Sequence, residues 1–458
     1  MLSLIIIITA GLLLLFVGLG RNKDILIPLA MTAILLAMFF QISGAGRDSA
    51  LLNGMLVFDP VAVGFSVMMM VITLLILLLG VEYYADMDRN VAENFALLLF
   101  SLTGAILMVS FNNLVVLFLG IEILSIPLYI LAGGKKKSYR SNEASFKYFL
   151  LGSFASAFLL FGIALLYGVT ASFGLDEIRQ AMPRFMDSGL LKTGVLMIII
   201  GMAFKVAAVP FHFWSPDVYE GSPTLITAYM ATVVKTAGFA AFWRLLDLAL
   251  IPLPESLIWI MWILTFLTMT VSSFTALWQS SFKRLLAYSS ISNSGFLMLV
   301  LLSSDPMSPA TLLYYTFTYS LASLIAFSVL FSVKKASGGS EQLDIFNGLW
   351  KNNRFIAFVL AIALLSLAGI PPLAGFFAKY MVFFQAIRQD FLWITLIAIL
   401  MALVGIYYYF SVFRFVFSSK GEPRTIPYPL STRIVVLTAV LLLFILGVYP
   451  ALLTGLFP

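Results

Sequence analysis

The sequence runs to 458 residues, 62% of them apolar and only 10% charged; an average soluble domain carries about 25% charged residues, so a water-soluble globule is excluded and a bilayer is implied. Cysteine is absent and histidine occurs once, as His212, which rules out disulfides, thiolate zinc, iron–sulfur ligation and a multi-histidine metal centre on this chain. The net charge of +6 is spread as a membrane protein spreads it, and neither a G-x-G-x-x-G after a strand nor a G-x-x-x-x-G-K-[ST] run supports a nucleotide site.

A helix needs about 20 apolar residues to cross roughly 30 Å of hydrocarbon. Runs of that kind predict fourteen spans in chain order: 3–19, 25–42, 61–82, 94–110, 112–132, 145–168, 192–214, 223–246, 255–278, 285–303, 309–333, 354–388, 391–416 and 433–456. The positive flank of the first, Arg21 and Lys23, follows the run rather than preceding it, which argues for a retained span. Loops after odd-numbered spans hold 17 Lys and Arg against 6 after even-numbered ones. That bias predicts odd loops in the cytoplasm and both termini on the outer, periplasmic side. The longest polar stretches, near 169–191 and 334–353, read as short connectors, so no soluble domain is expected.

Charges inside the spans stand out. Glu122 lies mid-span in VVLFLGIEILSIPLYILAG, Lys205 in the seventh span, Lys235 in the eighth, Lys379 in the twelfth and Lys147 near the start of the sixth. Each would cost about 2.5–3.5 kcal/mol at the bilayer centre, so these groups are expected to face protein or internal water. Lys147 could instead reach the headgroups by snorkelling, and a purely structural ion pair is the other plain reading. Buried pairs are often no more stabilising than an apolar replacement, so several lysines with one carboxylate fit proton or cation handling better than scaffolding.

Helix breakers fall beside two of the lysines. Pro210 follows Lys205 by five residues, and Pro371 and Pro372 precede Lys379 in a segment of about 35 residues, or ~52 Å if straight. Two interrupted helices five spans apart, each with a lysine, predict an internal repeat of transporter type whose second copy is inverted. His212, just past the seventh-span break, is expected to be a hydrogen-bonded structural residue or a relay between Lys205 and Lys235. Asp217 and Glu220 are expected to be a solvated cap of the eighth span.

The stretches LFLGIEILSIPLYIL around Glu122, EASFKYFLLGSFASAFLLFG around Lys147, FKVAAVPFHFWSPDVYEGSPT from Phe204, KRLLAYSSIS at 283–292 and SLAGIPPLAGFFAK ending at Lys379 together resemble the antiporter-like membrane subunits of respiratory complex I, the NADH-quinone oxidoreductase. PFHFWSPDVYEGSPT and a lysine at 379 are more similar to the N-type branch than to its L and M siblings. The resemblance implies an all-α polytopic membrane protein of about 14 transmembrane helices, with two inverted five-helix repeats and discontinuous helices 7 and 12. Residues 1–90 would then form three N-terminal helices, 91–250 the first repeat, 251–420 the second and 421–458 a C-terminal helix. It also implies roles: Glu122 and Lys205 gating one half-channel with Lys147 tuning it, Lys235 passing protons along a central axis, and Lys379 serving the opposite half-channel.

In the family a histidine usually follows the SSIS run; here that position is Asn293, so the link from Lys235 to Lys379 is expected to use water lined by Tyr288, Ser290, Ser292 and Ser294. The chain would be a non-redox, proton-translocating subunit with no metal or cofactor of its own. FMN, iron–sulfur clusters, NADH and quinone would belong to partner subunits of the membrane and peripheral arms, in a bacterial inner (plasma) membrane. The alternative is a subunit of a multi-subunit Na+/H+ antiporter; a passive scaffold and a solute transporter fit the lysines less well.

Overall fold

A computed structural model describes residues 1–20, 24–44, 50–85, 91–303, 305–419 and 425–456. The loop cations Arg21, Lys23, Arg47, Arg89, Lys420 and Arg424 of the charge count lie outside the described residues. Among the described residues the only sheet is a hairpin of β1 (Ala50–Leu51) and β2 (Leu56–Val57), antiparallel with Ala50 opposite Val57.

The rest of the described chain is helices and their connectors. The chain opens with α1 (Leu2–Val17), α2 (Leu26–Ser43) and α3 (Pro60–Ala85), then α4 (Val91–Ser110), α5 (Leu114–Ala132) and α6 (Tyr139–Thr170). A connector, α7 (Leu175–Ala181), leads to α8 (Gly189–Lys205) and α9 (Trp214–Gly221). Next come α10 (Thr224–Tyr229) and α11 (Lys235–Leu245), joined and followed by π turns at Met230–Val234 and Leu246–Leu250. The second half holds α12 (Glu255–Ala276), α13 (Phe282–Ser303), α14 (Ser308–Ala336), the single turn α15 (Leu349–Asn352), α16 (Arg354–Ala368), α17 (Ala374–Arg388), α18 (Leu392–Val416) and α19 (Leu430–Val448).

Helices stand at all fourteen expected spans, the seventh as the broken pair α8/α9 and the twelfth as α16/α17; eleven of the described helices are long and apolar enough to cross a bilayer unaided. Some ends move. The seventh span extends to Gly221, so Asp217 and Glu220 sit on its second half and not in a loop after it. The tenth begins at Phe282, which places Lys283 and Arg284 on its first turn.

The layers follow from side-chain chemistry. Segment 224–250, α13 and α14 are buried on nearly every face, whereas α6, α18 and α19 turn Leu, Ile and Phe outward. A helix buried all round is ordinarily apolar all round, yet α14 carries Tyr314, Tyr315, Thr316, Thr318, Tyr319, Ser320 and Ser323, all buried. The centre of the protein is therefore rich in hydroxyl groups. Small residues let the outer helices approach it: a Cβ on Gly162 of α6 would lie 2.7 Å from the Gly194 carbonyl of α8, the close small-residue crossing by which membrane helices associate.

Both breaks have local causes. Helix α8 cannot continue past Lys205, because Ala207 turns to φ 57° and Pro210 follows. The Phe204 carbonyl accepts hydrogen bonds from the Ala207 N–H (3.0 Å) and the Trp214 indole (3.2 Å), and Thr268 of α12 accepts the Val209 N–H (2.9 Å). Helix α16 stops at Gly369, whose φ of 85° suits a left-handed cap; the N–H groups of Gly369 and Ile370 both return to the Leu365 carbonyl, and Pro371 and Pro372 follow.

Candidate proton-transfer site

Three groups of polar side chains meet at the broken helices. In the first, Glu122 of α5 accepts from Ser156 of α6, and the Lys205 ammonium donates to Ser125 Oγ at 2.5 Å, one turn beyond Glu122. Ser125, Ser156 and Lys205 line one small cavity with Tyr129, Tyr148 and Trp214. Glu122 and Lys205 thus share a site without a direct ion pair between them among the described residues.

The second group centres on Lys235, the first residue after a π turn, a distortion often found at functional sites. It is 5% exposed. Its three N–H bonds are met by the Ser290 carbonyl (2.6 Å), Ser290 Oγ (2.5 Å) and Ser294 Oγ (2.8 Å), all on α13. Ser294 also donates to the Val206 carbonyl in the α8 break (2.9 Å), which ties the Lys235 group to the Lys205 end. Tyr219 of α9 and Tyr319 of α14 flank Ser290.

The third group holds Lys379, whose ammonium donates to the Leu367 (3.0 Å) and Ala368 (2.9 Å) carbonyls. These are the last carbonyls of α16, where the helix dipole presents partial negative charge. The Phe296 ring lies 5.5 Å from the same nitrogen. A narrow cavity connects Lys379 with Asn293, Tyr315, Tyr319 and Ser366. Asn293 accepts from the Tyr315 hydroxyl (2.6 Å) and donates to the Ser289 carbonyl (2.8 Å). Tyr319 therefore borders both the Ser290–Lys235 group and the Lys379 cavity.

Gly369 makes the lysine cap feasible, because a Cβ there would sit 2.9 Å from Lys379 Cδ. Gly369→Ala should cost about 1–2 kcal/mol in the left-handed conformation and displace the Lys379 stem. A lower thermal midpoint of the solubilised protein is expected, with no loss for Gly168→Ala, where the added carbon meets open space.

Other expected residues stand elsewhere. Lys147 does not reach Glu122; it pairs with Glu143 and Asp217, each at 2.8 Å. Asp217 and Glu220 are not a solvated cap, since both bind Arg284 (2.9 and 3.0 Å). Ser292 bonds Ser273 of α12 rather than a lysine. Tyr288, two residues from Ser290 and so about 200° round the helix, is half-buried in apolar packing instead of lining the lysine side. His212 is buried with its Nδ1 unpartnered and bridges neither Lys205 nor Lys235 by any described hydrogen bond.

Several polar residues were not singled out by sequence. Lys283 counts as a loop cation in the sequence, yet its side chain is 1% exposed and donates to the Ser222 carbonyl (2.6 Å), beside Glu341 at 3.3 Å. Arg244 is buried against Asp59 (2.5 Å) and the Phe111 carbonyl (2.7 Å), pinning α11 to the start of α3. Tyr315 and Tyr319 carried a weak signal, namely tyrosines and hydroxyls on every face of one long span.

The comparisons with known proteins agree with this geometry. Residues 111–405 match the family described as NADH:quinone oxidoreductase/Mrp antiporter, TM. The NADH-quinone oxidoreductase subunit N of Cytophaga hutchinsonii is 39% identical over 443 residues, 96% of this chain and 94% of that protein. That of Flavobacterium psychrophilum is 38% identical, covering 98% of each. A chain of respiratory complex I from Thermus thermophilus superposes with a TM-score of 0.86 at 32% identity, over 99% of this chain and 98% of that one. A chain of the Mrp complex from a Dietzia species, at 18% identity and a TM-score of 0.88 over 99% of this chain and 95% of that one, shares the fold.

Proposed function

The chain belongs to the NADH-quinone oxidoreductase subunit N family and is a proton-translocating membrane-arm subunit; on that premise we propose that Glu122, Lys205, Lys235 and Lys379 carry the proton through it. The observation that supports this most is Lys235, a fully enclosed amine held only by serine oxygens, between the Lys205 break and the cavity that ends at Lys379. An amine so placed can exist with or without its proton while the hydroxyls switch between donating and accepting. Lys205, next to Glu122, would load from one side, and Lys379 would release on the other, from its seat on the last carbonyls of α16. Lys147 would bias Asp217 and the α9 half-helix rather than Glu122 directly.

In this reading residues 91–250 and 251–420 are the two inverted repeats, with the α8/α9 and α16/α17 breaks as counterparts. The chain supplies no redox chemistry; electron transfer on partner subunits drives it through contacts with neighbouring membrane-arm subunits. The 17-to-6 distribution of cations supports an orientation with the odd loops in the cytoplasm and both termini on the periplasmic side of a bacterial inner membrane.

Purification from the native membrane tests the assignment. Recovery in a large assembly with flavin and iron–sulfur absorbance is expected, and a colourless assembly would favour a Na+/H+ antiporter. Within that assembly, Lys205→Ala should depress proton pumping and coupled quinone reduction together, whereas a passive scaffold would lose neither.

A further inference from the structure

A further buried lysine lies at the face carrying the odd loops. Lys283, on the first turn of α13, has its ammonium against the Ser222 (2.6 Å) and Glu220 (3.2 Å) carbonyls where α9 ends, and 3.3 Å from Glu341 in the α14–α15 connection. Glu341 also pairs with Lys334. Beside them is a polar cavity lined by Lys135, Arg140, Ser222, Lys334, Glu220 and Glu341. Ser222 is 2% exposed, and its hydroxyl makes no hydrogen bond within the protein. A fully enclosed lysine thus borders a chamber rich in polar groups.

The helix connects that chamber to the centre. Ser290 and Ser294 are seven and eleven residues beyond Lys283, within about 20° of it around α13. Ala287, the residue between on that stripe, is small and buried. The rise from Lys283 to Ser290 is about 10 Å. The C-terminal end of α9 spans the same interval: Glu220 and Ser222 contact Lys283, while the Tyr219 side chain flanks Ser290.

We propose that Lys283 is the inlet lysine of the Lys235 segment, taking protons from the polar cavity and passing them along this face of α13. The inference rests on the proton-transfer reading of Lys235 given above. Neutral Lys283 takes a proton from water in the cavity. It then releases that proton through water and the Tyr219 hydroxyl to Ser290 Oγ, which gives up its own proton to neutral Lys235. Lys283 returns to the amine, and only N–H and O–H bonds are exchanged. Glu341 is the counterion that Lys283 meets when it carries the proton, 3.3 Å away. Burial pushes the Glu341 carboxyl up, but Lys283 and Lys334 outweigh it and hold it below its ordinary value of 4.5, so it stays an anion near neutral pH. The other charged groups around Lys283 are Lys135, Arg140 and Lys334 across the cavity and Glu220, already held by Arg284.

The test uses the whole oxidoreductase reconstituted into vesicles, with protons moved per NADH oxidised as the readout. Lys283→Arg keeps the charge and the donors but cannot release a proton. With assembly intact, proton transfer through the segment should slow about a hundredfold, as for loss of a positioned proton-transfer group, and protons per NADH should fall. Wild-type stoichiometry in an assembled Lys283→Arg protein overturns the proposal. Should arginine prevent assembly, Glu341→Gln decides: without its counterion Lys283 loads at lower pH, so the alkaline limb of the pumping profile moves down by about one unit, and an unmoved limb overturns the proposal. Lys235→Met run in parallel separates the two levels. Normal pumping there sinks the underlying reading; lost pumping there with normal pumping in Lys283→Arg sinks only the inlet.

Discussion

Lys235→Met should assemble normally and lose at least about a hundredfold in proton transfer through this subunit, the lower range for removing a positioned proton carrier. Methionine matches the length of the lysine stem and removes only the amine. Its former partners are not orphaned, because the Ser290 carbonyl already accepts from Ser294 Oγ (3.1 Å), and Ser294 also reaches the Val206 carbonyl. Exchanging a buried charge for a well-packed apolar group is often neutral or stabilising, so a lost activity would not be a folding defect. Lys235→Arg should fail too, since guanidinium keeps its proton and brings five donors to a site with three acceptors. The measurement is protons moved per NADH in vesicles, alongside the thermal midpoint of the purified assembly. A methionine variant that pumps as wild type would end the proposed role.

Asn293→Leu is expected to have the next largest effect. The amide accepts from Tyr315 and borders the cavity that ends at Lys379. Leucine fills that space with carbon and leaves the buried Tyr315 hydroxyl without its acceptor, at a cost of about 1–3 kcal/mol. Transfer between Lys235 and Lys379 should then fail for want of a polar route, with a modest drop in thermal midpoint. Asn293→His should sustain pumping, because imidazole accepts from Tyr315 and can itself carry a proton. Unchanged pumping in the leucine variant would move the route away from this cavity.

These two positions differ in how plainly they could be read. A lysine in the middle of an apolar run is legible because its desolvation cost demands a reason, and Glu122, Lys205, Lys235 and Lys379 all announce themselves so. The breaks are legible through Pro210, Pro371 and Pro372, because proline cannot continue a helix. Partners are not. Nothing in the order of residues says that Lys147 turns to Asp217, that Lys379 caps α16, or that Ser292 and Ser290 of one helix serve different neighbours.

The sequence by itself determined the bilayer setting, the fourteen helical segments, the two interruptions and the charges that fall inside apolar runs, since each follows from transfer energies and backbone chemistry that act within one segment. Tertiary structure alone decided which oxygens hold each amine, that Lys283 is enclosed rather than solvated, and that Tyr319 borders both the Lys235 group and the Lys379 cavity. Hydrogen bonds reach only about 3 Å, so their pairing depends on how helices far apart in the chain are rotated and seated against one another, and no local pattern encodes that.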